Sequence, residues 1–273
     1  MARGRKLESF VDFNRSLTNK YGVGEGTDYK PWLRVQDVKS NGIKSQVWGR
    51  KTGRVHHLLS SIESQFFYLA EFSDSVIDIR EQFPLLPLNV SQKIAATLGI
   101  EHPKVPYTVV PNIMTTDFLL TCRKEGQIFY KAISVKPEDG INQRVAEKLD
   151  IERVWWELLG VEFYFFTGNE LTKTQSSNVQ WATSPFRSGI QTYTDSQIQI
   201  ALEMIEPGKH LLSDLCGKLV PIIQGRSEDG LNMVRYLIAN KFIDIDLSYS
   251  VEANGGFEVL SVNVDKRLVS NGD

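Results

Sequence analysis

Residues 115–137 read TTDFLLTCRKEGQIFYKAISVKP, which is two short apolar segments on either side of a charged turn that contains glycine. Residues 115–122 and 129–137 have the length and composition of strands, and residues 123–127 have the length of a hairpin turn. Pro137 should end the second strand, because proline has no N–H to donate to a sheet. The pattern therefore predicts an antiparallel β-hairpin.

Two charged side chains lie at the open end of this hairpin. Asp117 lies where the first strand begins, and Lys136 lies where the second ends. Since the start of one antiparallel strand lies beside the end of the next, the two side chains should converge. Metal-assisted phosphodiester cleavage needs a carboxylate that holds a divalent cation and a lysine that positions the nucleophile or neutralises phosphate. Alone the pair is a weak signal, because charged residues at strand ends are usually solvated.

The composition limits the class of protein. The chain has 273 residues, of which 41% are hydrophobic and 23% charged, as expected for one large or two modest domains. It has no run of about 18 apolar residues, and its basic first residues precede no apolar stretch, so we expect neither a membrane span nor a secretory signal. Cys122 and Cys216 lie far apart in the chain, which favours a reducing cytoplasm and argues against a zinc site.

The positive charge is concentrated near the start of the chain. Residues 1–60 hold 12 Lys and Arg against 5 Asp and Glu, a net charge of +7, which leaves −9 for the rest of a chain whose total is −2. A local surface can therefore attract phosphate although the whole is mildly acidic. Within this region, residues 49–54 (GRKTGR) predict a basic turn between two short strands, which equally suits phosphate contact or a solvated turn tip. The candidate DNA-binding residues are Arg50, Lys51, Arg54 and His57.

The elements around the hairpin predict an α/β fold with a mixed sheet and flanking helices. Ser60 and Glu63 have the spacing of a capping box at the start of a helix, so Glu63 is favoured as a cap, a role that does not exclude metal binding. Residues 1–30 are interpreted as a loose arm with at most one short helix near residues 7–17, and residues 87–112 mostly as connection. The remaining predictions for this region are a strand at 76–83, a helix at 143–159 and a buried strand at 161–167.

A change in composition after Gly168 predicts a second domain. Residues 169–194, rich in Asn, Thr, Ser and Gln, are interpreted as a linker or a domain boundary. Helices are predicted at 195–205, 209–219 and 227–240, followed by strands at 242–247 and 257–264, which is the element order of a winged-helix module. The third helix has Arg235 in its middle and acids at its start, which favours protein docking over base recognition. The predicted domains are a basic arm (1–46), a catalytic domain (47–168) and a winged-helix-like domain (169–273).

Three sequence blocks combine into a family resemblance. They are residues 51–60 (KTGRVHHLLS) with Glu63, residues 78–87 (DIREQFPLLP), and Asp117 and Lys136 with their flanking residues in the hairpin. Together they resemble the TnsA family, the transposon-end endonuclease subunits of Tn-seven-like heteromeric transposases. The resemblance covers residues 47–167 most closely, and the C-terminal helices more loosely.

The resemblance implies a restriction-endonuclease-like core in a bacterial, intracellular protein that uses Mg²⁺ to cut DNA at the 5′ ends of a transposon. It implies Glu63, Asp117 and Lys136 as catalytic residues and Glu63, Asp117 and Ser134 as metal ligands. The implied partners are the transposon ends, the transposase TnsB, and the AAA ATPase regulator TnsC, which would contact the C-terminal domain.

Two details of this resemblance leave alternatives open. Ser134 stands where this nuclease superfamily usually has an acid, so the number of metals is open. Glu152 on the following helix is a weaker site candidate, and base rates favour a solvated position for it. The alternatives are a non-catalytic docking adaptor on a nuclease-like fold and a free-standing restriction or repair nuclease, with a transcriptional regulator the least favoured.

Overall fold

The computed structural model describes residues 4–38, 42–187 and 192–264. The chain divides into two compact units between Gly168 and Asn169. The parts of the predicted arm, linker and second domain that fall on residues 1–3, 39–41, 188–191 and 265–273 lie outside the described residues. No helix within the described ranges is long and apolar enough to cross a membrane.

The first unit contains a mixed four-stranded sheet, as predicted. Its strand order is β3-β4-β5-β6, with antiparallel pairing from β3 to β5 and parallel pairing between β5 and β6. The parallel pair is possible because a helix connects its two strands. The elements are α1 (Phe10–Thr18), β1 (Ser45–Gly49), β2 (Arg54–Leu58), α2 (Ser61–Phe72), β3 (Val76–Pro84), α3 (Leu88–Thr97), β4 (Thr115–Lys124), β5 (Gln127–Val135), α4 (Gln143–Leu158) and β6 (Glu162–Phe166).

Helices cover the sheet on both faces. On one face, Phe66 of α2 packs against Phe118 of β4 and Phe166 of β6, with ring centroids 5.0 and 5.2 Å apart. On the other, Ile151 and the tryptophans of α4 pack on the side chains of the central strands. The two layers fix the ends of β3, β4 and β5 beside the first turn of α2.

Three predictions for the first unit are wrong in detail. The N-terminal segment is not loose, because Phe13 and Trp32 are buried in a small apolar cluster. Helix α3 lies within the region interpreted as connection, since prolines can flank a helix as well as fill a loop. Strand β6 is at the edge of the sheet and is not buried, because Tyr164 and Phe165 are 42% and 40% exposed.

The second unit has its own apolar core and a three-stranded antiparallel sheet in the order β7-β9-β8. Buried side chains of α5, α6, α7 and α8 meet the sheet in this core. The elements are α5 (Glu170–Thr183), α6 (Asp195–Glu203), β7 (Gly208–Leu211), α7 (Leu212–Ile223), α8 (Ser227–Ala239), β8 (Ile243–Ile245), α9 (Val251–Asn254) and β9 (Gly256–Val262).

Two predictions for the second unit need correction. The region interpreted as a linker contains α5, whose Trp181 and Ala182 are buried in the core of the unit. The helix predicted at 209–219 begins at Leu212, because residues 208–211 pair with β9 as a strand. Polar composition concealed α5, whose apolar side chains occupy one narrow face.

Candidate active site

Asp117 lies near the start of β4, where the end of β5 comes alongside it. Its Oδ2 atom accepts hydrogen bonds from the Val135 backbone N–H at 2.7 Å and from the Ser134 hydroxyl at 3.4 Å. The same oxygen is 2.6 Å from the Lys136 ammonium. Asp117 is 7% exposed. The hairpin therefore brings the predicted carboxylate and ammonium together. The other carboxylate oxygen of Asp117, Oδ1, makes none of these three contacts.

Lys136 is charged in this arrangement. Burial alone would lower the pKa of its ammonium, but the adjacent Asp117 carboxylate raises that pKa above its ordinary value. The ammonium therefore has no lone pair at neutral pH and cannot act as a proton acceptor. It is suited to stabilise negative charge, because its side chain remains 36% exposed.

Glu63 lies in the first turn of α2, whose N-cap is Ser60 as predicted, but only the Ser60 half of the predicted capping box forms, because the Glu63 carboxyl accepts from the Leu59 N–H instead of the Ser60 N–H. Ser60 accepts from the Glu63 N–H at 3.2 Å, and Glu63 accepts from the Ser60 hydroxyl and the Leu59 N–H, both at 2.9 Å. The carboxyl group is nevertheless buried, and burial together with the Asp117 charge raises its pKa to about 7. The capping contacts therefore hold Glu63 at the site.

Ser134 is buried at the end of β5, and its hydroxyl donates to Asp117. The predicted ligand position therefore lies beside the carboxylate. The position of Ser134 also places it near Glu152, whose carboxyl interacts with the hydroxyls of Ser134 and Thr116.

Glu152 is not the solvated helix residue that base rates favoured. It is 5% exposed, and its Oε1 atom has no hydrogen-bond partner. Burial, and then the Asp117 charge, raise its pKa to about 8. The sequence did carry a signal, because Glu152 lies beside Ile151 and precedes Trp155 and Trp156 by the three and four residues that share a helix face.

Gln82 of β3 is a site residue that the sequence did not single out. Its Nε2 atom lies 3.4 Å from Oε2 of Glu63 and 3.3 Å from Oδ1 of Asp117. Both carboxylates therefore flank one amide nitrogen. A polar residue in a strand is ordinarily expected to face solvent, which is why the pattern did not distinguish it.

Arg54 does not fit the predicted contact with DNA. Its guanidinium forms a two-pronged ion pair with Glu81, at 2.9 and 2.7 Å, and also donates to the Ile79 carbonyl. Both side chains of the ion pair are buried. A guanidinium saturated in this way cannot reach a phosphate, so Arg54 joins the β1–β2 hairpin to the central sheet instead.

The other three predicted DNA-binding residues are more accessible. Arg50 and Lys51 are exposed at the β1–β2 turn, where the Lys51 ammonium donates to the carbonyls of Ser73 and Val76. His57 is partly buried beside Gln46, and burial lowers the pKa of its imidazole. Contact of these three residues with DNA stays a prediction.

The donor set at the end of the sheet fits a hard divalent cation. Within residues 4–38, 42–187 and 192–264, no set of three or more His, Cys, Asp or Glu side chains stands in metal-ligating geometry. Mg²⁺, however, keeps several waters and takes only one or two carboxylates. The raised pKa values of Glu63 and Glu152 and the unpartnered Glu152 oxygen indicate a site with excess negative charge. A bound cation would offset that charge, so the carboxyl groups at this end of the sheet fit Mg²⁺.

Comparison with known proteins identifies the family of this chain. Residues 73–168 match the family model described as the TnsA-like endonuclease N terminal domain. The chain is also 36% identical to the transposon Tn7 transposition protein TnsA of Escherichia coli, over 93% of this chain and 92% of that protein. This chain belongs to the TnsA family.

The family match and the site coincide along the chain. Asp117, Ser134, Lys136 and Glu152 lie within the stretch that matches the TnsA-like endonuclease domain, and Glu63 precedes it by ten residues. The longer alignment with the E. coli TnsA protein extends over nearly the whole chain, including most of the second unit. As a TnsA-family protein, the chain is a transposase endonuclease subunit.

Proposed function

We propose that this TnsA-family protein is a Mg²⁺-dependent endonuclease that cuts DNA at the 5′ ends of a transposon. The observation that carries the proposal is the meeting of Glu63, Asp117 and Lys136 at the end of one sheet, with Gln82 contacting both carboxylates. Glu63 adds a second buried carboxyl beside the Asp117–Lys136 ion pair, which leaves negative charge for a cation to offset.

Each side chain has a part that follows from its contacts. Asp117 Oδ1 and the Glu63 carboxylate would hold the cation, and the Ser134 hydroxyl supports Asp117 from the other side. The bound Mg²⁺ would supply Lewis-acid stabilisation of the scissile phosphate. Lys136 stabilises negative charge on the phosphate, because it is charged and partly exposed. The raised pKa of Glu152 favours its protonated form in the metal-free site.

The proposal predicts that Asp117→Ala abolishes cleavage and leaves the fold intact. Removing this carboxylate ends its repulsion of Glu63 and Glu152, but it also takes away the ion-pair partner of Lys136 and the acceptor of the Val135 N–H. Glu63 and Glu152 remain to interact with the Lys136 ammonium, so the thermal midpoint should fall only modestly and the circular dichroism spectrum should not change. The measurement is Mg²⁺-dependent nicking of supercoiled DNA that carries the transposon ends, with the partner transposase present. Asp150→Ala is the matched control, because Asp150 is exposed on α4.

Full activity of Asp117→Ala would contradict the proposed site. The two alternatives give distinct results in the same assay. A wild-type chain that cuts naked DNA without any partner would favour a free-standing nuclease. A wild-type chain that binds its partners and supports their reaction, but cuts no strand under any divalent cation, would favour a docking adaptor.

We also propose that the second unit is a winged-helix-like module that binds protein partners. Its main partner would be the AAA ATPase TnsC, and the transposase TnsB would join the complex at the DNA ends. The element order α6-β7-α7-α8-β8-α9-β9, in which α9 is a four-residue helix between the last two strands, and the sheet order β7-β9-β8 support the winged-helix-like assignment. Base recognition by α8 is disfavoured, because Met233, Val234 and Leu237 are buried and the Arg235 guanidinium lies 4.9 Å from the Trp181 ring.

Binding of the ATPase to the fragment of residues 169–273 tests this assignment. We expect the fragment to bind the purified ATPase and to show little affinity for duplex DNA. Salt-sensitive DNA binding by the fragment without ATPase binding would contradict it, since phosphate contacts weaken steeply with salt.

A further inference from the structure

Gln82 is fixed between the two carboxylates by contacts at both ends of its amide. Its Oε1 atom accepts a hydrogen bond from the Thr115 hydroxyl at 3.0 Å, and its Nε2 atom faces Glu63 and Asp117. An amide nitrogen carries two hydrogens, so it can donate one to each carboxylate. The Thr115 contact determines which end of the amide faces the acids.

The backbone of Gln82 adopts a conformation that L-residues rarely take. Its φ is +49°, in the left-handed region that favours glycine and asparagine. Glu81 pairs with Phe118 and Phe83 with Thr116, so Gln82 lies opposite Asp117. The Gln82 carbonyl, however, accepts from the Trp32 N–H at 3.2 Å. The strand is therefore locally distorted at the residue that faces Asp117.

Such distortion tends to persist where the surrounding structure holds it in place and the site uses it. Here the buried Trp32 holds the Gln82 carbonyl from the N-terminal segment, and Thr115 holds the side-chain oxygen. The Thr115 contact directs the amide nitrogen toward Glu63 and Asp117, and the Trp32 contact holds the backbone that carries the side chain. The neutral amide of Gln82 therefore separates the Glu63 carboxyl, at the start of α2, from the Asp117 carboxyl on β4.

We infer that Gln82 is a positioning residue that sets the separation of the Glu63 and Asp117 carboxylates for a divalent cation. This inference rests on the proposed function, because it assumes that the two acids bind a metal. Residues that hydrogen-bond to metal-binding carboxylates orient them, and removing such partners typically weakens metal affinity about 10- to 100-fold. Gln82 itself touches neither substrate nor reacting atoms in this role.

The test compares Gln82→Asn and Gln82→Met with the wild-type full-length chain by calorimetric titration with Mn²⁺, which takes the same oxygen ligands as Mg²⁺. Asparagine tolerates a positive φ but is one methylene too short to span both acids. Methionine keeps the length and lacks the amide. We expect both variants to bind Mn²⁺ about 10- to 100-fold more weakly. Gln92→Asn, at an exposed position of α3, is the matched control and should bind as the wild type does.

Two further readouts separate positioning from a purely structural role. The Mg²⁺ concentration for half-maximal cleavage should rise in Gln82→Asn while cleavage at saturating Mg²⁺ recovers, and its metal-free thermal midpoint should not fall. Thr115→Val keeps Gln82 but releases its amide oxygen, so it should weaken Mn²⁺ binding by a smaller factor. This variant carries the test if Gln82→Met does not fold.

Unchanged Mn²⁺ affinity in Gln82→Asn and Thr115→Val would overturn the inference, even if their thermal midpoints fall. If the wild-type chain itself binds no Mn²⁺, the proposed metal site fails and the inference fails with it. Weakened binding confined to the variants supports the inference and leaves the proposed function standing.

Discussion

Three carboxyl groups, those of Glu63, Asp117 and Glu152, share one buried end of the central sheet with the Lys136 ammonium. Burial and mutual repulsion raise the pKa of Glu63 to about 7 and that of Glu152 to about 8. Burial of like charges is costly in free energy unless a partner offsets it. At the scale of single residues, the excess of buried acidic groups therefore supports the proposed cation site.

The raised pKa values predict how stability depends on pH. A folded chain that keeps protons on Glu63 and Glu152 above their ordinary value of 4.5 binds more protons than the unfolded chain does. The free energy of unfolding should then fall as pH rises from about 4.5 to 8. Thermal midpoints measured from pH 5 to 9 in EDTA should fall more steeply with pH than those measured in excess Mg²⁺. Parallel pH profiles in the two buffers would contradict the prediction.

Glu152→Gln should have opposite effects on DNA cleavage and on the thermal midpoint. The neutral isostere removes a buried carboxyl, so the metal-free thermal midpoint at pH 8 should rise. Cleavage should fall roughly 10- to 100-fold, as for other residues that support a metal site. Glu157→Gln, on the exposed face of the same helix, is the control for both measurements. Unchanged cleavage by Glu152→Gln would remove Glu152 from the site.

The sequence predicts part of this site for identifiable reasons. Asp117 and Lys136 follow from hairpin geometry, and Glu63 follows from the helix-start pattern together with the family resemblance. Gln82 was not singled out, and Glu152 was expected to be solvated. The burial of both depends on tertiary packing, which a single polar residue in a helix or strand pattern does not indicate. The positive φ of Gln82 could not be predicted from the sequence, because glutamine is not a residue type that favours positive φ.

At the scale of elements, a buried polar network joins the β1–β2 hairpin to the central sheet. Glu81 of β3 accepts from Arg54 and contacts His56, at 2.7 Å in each case. Burial alone would raise the pKa of Glu81, but His56 and Arg54 hold it well below its ordinary range. Because Glu81 adjoins Gln82 and Arg54 adjoins the turn of Arg50 and Lys51, the network links the site to the predicted DNA-facing turn.

Glu81→Gln should destabilise the chain by about 3–5 kcal/mol, because it leaves the Arg54 charge buried without its partner. Urea unfolding at pH 7 measures this loss. The exposed Arg153–Glu157 pair offers the comparison, since Glu157→Gln should change stability by no more than about 0.5 kcal/mol. The stability from Glu81 is present above its ordinary pKa of 4.5 and is lost as pH falls below that value. Equal stability of the two variants would show that the network is not important for the fold.

Prediction of elements succeeded where local signals were strong. Helix α2 begins directly after its predicted cap Ser60, and β4 and β5 form the predicted hairpin. Helices α3 and α5 were missed because prolines and polar residues dominate their surroundings, while their few apolar side chains form narrow stripes that only the assembled core explains.

At the scale of the whole molecule, each of the two units has its own apolar core. Helix α5 belongs to the second unit, where the Asn178 side chain donates to the Leu247 and Tyr249 carbonyls at 2.9 and 2.8 Å. It also accepts from the Val251 N–H at 3.1 Å. The predicted linker at 169–194 is thus partly structural, and the change of unit falls at its beginning.

This boundary predicts how fragments of the chain behave. Residues 169–273 retain α5 and should unfold cooperatively on heating, because the fragment keeps the whole core of its unit. Residues 195–273 lack α5, so Trp181 and Ala182 no longer fill that core and the Asn178 contacts are lost. We expect the shorter fragment to unfold at a much lower temperature or without a cooperative transition. Within the longer fragment, Asn178→Ala should cost about 1–3 kcal/mol, since it leaves the buried Val251 N–H and two partly buried carbonyls without their side-chain partner. Equal thermal midpoints for the two fragments would place the boundary after α5 and restore the whole of 169–194 as a linker.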